Sequence, residues 1–171
     1  MTERRSLSWA EKEARRDYIK VSERGGEIVG IVGIVLITLF FYAHQAWSTG
    51  FFTSAFGPIE AFFLYGSILI STAGPLARFL TGRRNISRLP ELMASIFWIA
   101  GSVWLLISFP FNFAHFGDVL PDFLHFLVSW ITNDIAKILL ALGTLGGIVF
   151  TVLNAILYRK VRRLLRLSET Y

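Results

Sequence analysis

The chain contains no cysteine. That absence removes disulfides, thiolate metal sites, haem attachment through CxxCH and dithiol redox chemistry together. Charge is scarce as well. Asp, Glu, Lys and Arg make up 17% of the 171 residues, where a soluble domain carries nearer a quarter. Several chemistry-bearing signatures are missing too: no phosphate-binding loop, nucleophile elbow or HExxH, no arginine run inside an apolar stretch to sense voltage, and no TVGYG filter. Nothing in these motifs points to an enzyme.

What the chain has is apolar length. It is 54% hydrophobic, with a mean hydropathy of +0.55. Residues 28–47, IVGIVGIVLITLFFYAHQAW, hold no charged side chain. About 20 mostly apolar residues suffice for a helix to cross the hydrocarbon core. Ile, Val, Leu and Phe fall on every face of this stretch, so no side of it favours water. The charged segment before it is too long for the basic start of a secretory signal, and no small-x-small cleavage site follows cleanly. Three further spans read at 61–80, 92–110 and 135–158.

Charge distribution orients them. All but Lys137 of the 17 basic residues lie in three clusters: before residue 25, between 78 and 88, and between 159 and 166. Four spans put the three clusters on one side, whereas three or five would scatter them. The excess of Lys and Arg on cytoplasmic loops then predicts that both termini are cytoplasmic. The expected fold is an all-α integral membrane protein: an amphipathic N-terminal helix (1–26), a four-helix transmembrane domain (27–158) and a basic cytosolic tail (159–171). Because the basic residues flank apolar spans, the net charge of +5 points to bilayer orientation and away from nucleic acid.

Local signals refine this plan. Ser8 and Glu11 fit a capping box, and Ala10, Ala14, Tyr18 and Val21 then recur at helical spacing. Gly25-Gly26 reads as the stop of that helix. In the second span Pro75 lacks an amide donor, so a kink is expected near Ser71, with Ser and Thr hydroxyls serving the freed carbonyls. VLPDFLHFLVSWIT, before the fourth span, reads as a short interfacial helix. Gly30/Gly33 and the GxxxG pair Gly143/Gly147 are expected packing faces. Arg159, Lys160, Arg162 and Arg163 are expected at anionic lipid headgroups. Arg78 is expected to snorkel there as well, and Glu27 and Asn154 to mark helix ends.

Ionisable residues near a span are costly and therefore candidates for function. At the outer end these are His44, Glu60, Asp134 and Lys137, read as a polar vestibule on an ion or substrate path. Asp134 and Lys137, one turn apart, are expected to pair, with Glu60 able to share the lysine. His115, Asp118, Asp122 and His125 form a symmetric set of metal-capable ligands. No cofactor is expected; the minor alternatives are a metal ion on that set or a haem b between His44 and His115. The leading functional reading is a homo-oligomeric channel- or transporter-type module. The alternative is a non-catalytic structural or accessory subunit of a larger membrane complex, and the third a haem- or metal-binding oxidoreductase subunit. Expected partners are the lipid bilayer and either copies of the chain or other membrane subunits.

Overall fold

The computed structural model describes residues 9–168. Ser8, half of the expected capping box, lies outside them. Six α-helices account for most of the described residues: α1 (Trp9–Arg15), α2 (Gly25–Ala46), α3 (Pro58–Ile70), α4 (Ala73–Thr81), α5 (Arg84–Ser108) and α6 (Asn133–Ser168). Among the described residues there is no strand, only isolated bridges at Tyr18–Arg83 and Phe52–Phe111. Four helical stretches are long and apolar enough to cross a membrane: Val21–Ala46, Pro58–Thr81, Arg84–Ser108 and Asn133–Leu167.

The amino-terminal helix is shorter than its periodicity suggests. It ends at Arg15, leaving Tyr18 and Val21 exposed beyond it. Gly25 and Gly26 do not stop a helix; they open α2. A glycine stop works through the left-handed conformation, and neither residue has positive φ. That role falls to Gly82 (φ 64°), which caps α4.

The second span divides at the proline. α3 ends at Ile70 and α4 begins at Ala73. The break is served by hydroxyls: Ser71 Oγ donates to the Ile68 carbonyl at 2.6 Å and Thr72 Oγ1 to that of Leu69 at 2.7 Å. The interfacial segment is a 3-10 turn over Asp122–Leu127, preceded by another at Phe113–His115. At 1.5 Å per residue α6 is roughly 54 Å long, well beyond a core of about 30 Å. It carries the basic tail residues as its own last turns.

The helices pack in a chain. α2 leans on α3 and α4, these pack on α5, α5 on α6, and α1 on α6. Among the described residues no comparable packing between α2 and α6 closes the ring. The bundle is thus open along one side.

Candidate functional site

The open side leads into a cavity of about 1050 Å³ bounded by α2, α3, α4, α5 and α6. Its wall is almost wholly apolar. Ile34, Ile37 and Phe41 contribute from α2, Leu64 and Ile68 from α3, and Leu139, Leu140 and Phe150 from α6. Ile37, Leu139 and Phe150 are each about half exposed (50%, 47% and 50%) although they line it. From Ala136 to Phe150 along α6 the cavity runs roughly 21 Å. That is more than one leaflet of a core about 30 Å thick.

One end is closed by aromatic rings. Phe51, fully enclosed, meets Phe41, His44, Phe52, Phe111, Phe113 and Phe116 at centroid separations of 4.7–5.9 Å. Two loops are stitched across each other to hold it there. Asn112 donates its backbone N–H to the Phe51 carbonyl at 2.7 Å, and Thr53 donates to that of Pro110 at 3.0 Å. Phe113 N–H reaches the Asn133 side chain at 2.7 Å, tying the cap to the start of α6.

The other end is ionic. Arg78 pairs through Nε with Glu27 at 2.8 Å and through Nη1 with Glu91. Glu91 also accepts from Ser87 Oγ at 3.1 Å and from Asn154 Nδ2 at 3.2 Å. Asn154 Oδ1 in turn accepts from Arg88 Nη1 at 2.9 Å, and Arg88 Nη2 pairs with Glu13 at 3.0 Å. The network crosses five helices, from α1 to α6. A Cβ on Gly74 would meet Glu91 Cγ at 2.6 Å, so glycine there is what lets the carboxylate stem lie against α4. Two hydroxyl pairs continue between α5 and α6 toward the aromatic end. Thr151 donates to Ser95 at 2.9 Å and Thr144 to Ser102 at 2.8 Å. Such pairs fasten helices where no water competes.

The residues singled out from sequence are placed differently from one another. His44 is buried, with Nδ1 2.7 Å from Thr49 Oγ1 and its ring beside Phe40, Phe51 and Phe116. Its Nε2 is enclosed within the aromatic cap. Glu60 is drawn inward: Trp104 Nε1 donates to Oε1 at 2.9 Å, and the Gly57 N–H donates to Oε2 at 2.9 Å, where the carboxylate caps the start of α3. Lys137 lies over the Phe109 ring, 4.7 Å from its centroid. Phe109 itself has φ 33°, a conformation rare outside glycine. The expected Asp134–Lys137–Glu60 pairing is therefore absent: among the described residues no ion pair joins them. An indole donor and a phenyl face satisfy Glu60 and Lys137 instead.

His115 pairs with Asp118 at 2.8 Å, while His125 stands 4.0 Å from Asp122 and bonds the Leu120 carbonyl at 2.9 Å. The four remain two separate pairs. Among the described residues no three His, Asp or Glu side chains gather as metal ligands. Gly147 packs on Trp98 and Ile99 within the chain, and Gly143 lies near Trp98, whereas a Cβ at Gly30, Gly33 or Gly146 would meet nothing. Pro75 and Arg78 both line the cavity. Arg78 therefore engages two glutamates at the cavity's end and is no simple headgroup anchor. Arg162 bonds the Tyr158 hydroxyl at 2.9 Å, beside exposed Arg159, Lys160 and Arg163.

Arg88, Glu91 and Asp17 were not foreseen. Asp17 receives the Asn85 N–H on Oδ1 at 2.6 Å, and its carbonyl receives that of Arg84 at 2.8 Å, strapping the amino-terminal segment across the α4–α5 turn. A signal existed. Arg88, Ser95 and Ser102 recur every seventh residue, the spacing of one helical seam.

Comparison with protein-family models, curated proteins and solved structures finds no match.

Proposed function

We propose that this chain is a transporter-type membrane module whose cargo is a long-chain amphiphile, admitted sideways from the bilayer between α2 and α6. The observation that carries this reading is the apolar cavity itself. It is at the upper end of the volume range of ligand sites, elongated along the helices, and bounded by two helices that do not pack on each other. An ion path would need polar lining, and the lining here is hydrocarbon. In this reading both termini and the ionic end face the cytoplasm, and the aromatic cap faces the opposite side.

The test uses Trp98, which lines the cavity. With Trp9, Trp47, Trp104 and Trp130 replaced by Phe, the micellar protein is titrated with a long-chain alcohol brominated near its methyl end. Saturable quenching is expected, and its loss in Gly146→Leu, where a side chain enters open space. Linear quenching, equal in both proteins, refutes the reading. A dimer that forms in wild type, excludes the probe and dissociates in Gly146→Leu would show that a second copy's helix fills the groove, and would equally overturn it.

A further inference from the structure

Past its apolar part, α6 carries basic side chains and no acidic ones. Residues 135–158 hold a single charge, Lys137, and at 1.5 Å per residue measure roughly 36 Å, enough to span a core about 30 Å thick. The continuation to Ser168 brings Arg159, Lys160, Arg162, Arg163 and Arg166. Asp134 is the only acid of α6, and Glu169 lies outside the described residues. Elsewhere at this end the signs are mixed. Between residues 9 and 27 five basic and five acidic side chains balance, and around the α4–α5 turn Arg78, Arg83, Arg84 and Arg88 stand against Glu91. The positive surplus is therefore largest on α6.

The surplus is also one-sided. At about 100° per residue, Arg162, Arg166, Arg159 and Arg163 fall within an arc of about 100°. Leu157 and Val161 are buried on the opposite side of the helix, and α1 packs on α6. Lys160 lies outside the arc, about 60° beyond Arg163. Among the described residues no ion pair takes up Arg159, Arg162 or Arg163. Arg162 is positioned by Tyr158, whose hydroxyl accepts from Nη1 at 2.9 Å and whose ring centre is 5.6 Å from the guanidinium carbon. With Leu167, these side chains border an open groove of about 580 Å³.

Depth narrows the occupant. Tyr158 ends the apolar length, at the level where aromatic rings meet headgroups. From Arg159 to Arg166 the arc then rises roughly 10 Å, whereas one headgroup layer is only about 5–7 Å deep. A lone phosphodiester would meet the first turn of the arc. A headgroup with further phosphates would meet both turns, and guanidinium forks match phosphate oxygens bidentately. We infer that the arginine arc of α6 binds an anionic lipid whose headgroup carries more than one phosphate. The site shares no residue with the cavity and does not depend on what the cavity holds.

The probe is phosphatidylinositol bisphosphate with a fluorophore on its tail, followed by polarisation as the full chain is titrated in neutral detergent. The salt is about 0.15 M, at which exposed charges more than about 8 Å apart are largely screened. Saturable binding is expected, with phosphatidylserine competing only at concentrations about tenfold or more above the unlabelled bisphosphate lipid. Arg159→Gln/Arg163→Gln should weaken binding at least about thirtyfold. The charge-matched Arg83→Gln/Lys160→Gln should weaken it about threefold or less, and Gly146→Leu should leave it unchanged. Equal weakening in the two charge-matched variants means a general positive field and overturns the site, as does equal competition by phosphatidylserine. Displacement by soluble inositol trisphosphate or a single-stranded RNA at concentrations no higher than the unlabelled lipid assigns a soluble occupant and overturns the lipid. Loss of binding in Gly146→Leu puts the lipid in the cavity and overturns the arc as its site.

Discussion

The same substitution at two adjacent glycines of α6 should have opposite outcomes. A Cβ at Gly146 meets nothing within 4 Å, whereas one at Gly147 meets Trp98 Cδ1 at 3.2 Å and Ile99 Cγ1 at 3.4 Å. Replacing a helix-interior glycine gains about 0.5–1 kcal/mol at either site. In a micelle the unfolded helices stay in an apolar phase, so transfer from water adds little. What differs is packing. At Gly146 a leucine can lie along the cavity wall, each carbon pair contributing about 0.1–0.2 kcal/mol and largely replacing contacts with detergent chains. Gly146→Leu is therefore expected to be neutral or stabilising by about 1 kcal/mol. Gly147→Leu must push an indole and an isoleucine aside, and overpacking costs about 1–3 kcal/mol. The gap between the variants is then about 1–3 kcal/mol, roughly 5- to 150-fold in the folding equilibrium. It is measured by titrating mixed micelles with dodecyl sulfate and following helical circular dichroism. Should Gly147→Leu prove as stable as Gly146→Leu, the close α5–α6 contact and the open cavity are both misplaced, and the quenching test loses its control.

Other outcomes follow from the same contacts. Arg88→Met leaves Glu13 and Asn154 without their guanidinium in a buried setting and should cost about 3–5 kcal/mol in the same unfolding assay, with Glu13→Leu/Arg88→Leu recovering much of it. Gly74→Ala pushes on Glu91 at 2.6 Å and should cost about 1–3 kcal/mol; equal stability would show that Glu91 moves aside without loss. Lys137→Met removes only the contact to Phe109, worth about 0.5–1 kcal/mol, and should leave probe binding unchanged; loss of binding would restore Lys137 to the cargo path. The native chain has no cysteine, so Ser54→Cys and Thr81→Cys can be labelled without background. An impermeant thiol reagent should reach them from opposite sides of a sealed vesicle, and labelling of both from one side would refute the four-span arrangement.

How much of this was legible in sequence depended on how local each cause was. The four apolar helices follow from length and lack of charge, which need no partner. The break at Ser71 follows from one missing N–H at Pro75 and two nearby hydroxyls. The ionic network escaped because its members were read singly. Opening the third span at Leu92 set Glu91 and Arg88 outside it, though α5 begins at Arg84 and carries both toward Asn154. Lys137 misled for the opposite reason: an acid one turn away invites pairing, and only the positive-φ turn at Phe109 brings a ring beneath it. The cavity had no sequence signal at all, because lipid-facing and cavity-facing leucines are chemically alike.

These placements decide which helix would have to move for cargo to enter. α5 and α6 are fastened along their length by Asn154, by the Ser95–Thr151 and Ser102–Thr144 pairs, and by the fit of Gly147 against Trp98. α2 is fastened only near its ends. Glu27 holds Arg78 at one end, while at the other Gln45 accepts from the Tyr65 hydroxyl at 2.9 Å and Phe41 and His44 sit in the aromatic cap. No residue in its apolar window is buried. A helix pinned at two points and bare between them is the low-stability part of the fold, and local opening concentrates where buried contacts are fewest. On the proposed reading, entry is a displacement of α2 away from α6, limited by two small sets of contacts. Glu27→Gln should loosen one of those sets, so the probe on-rate should rise. In Gln45→Ala, which loosens the other end, it should rise as well. On-rates unchanged in both variants would refute the movement of α2.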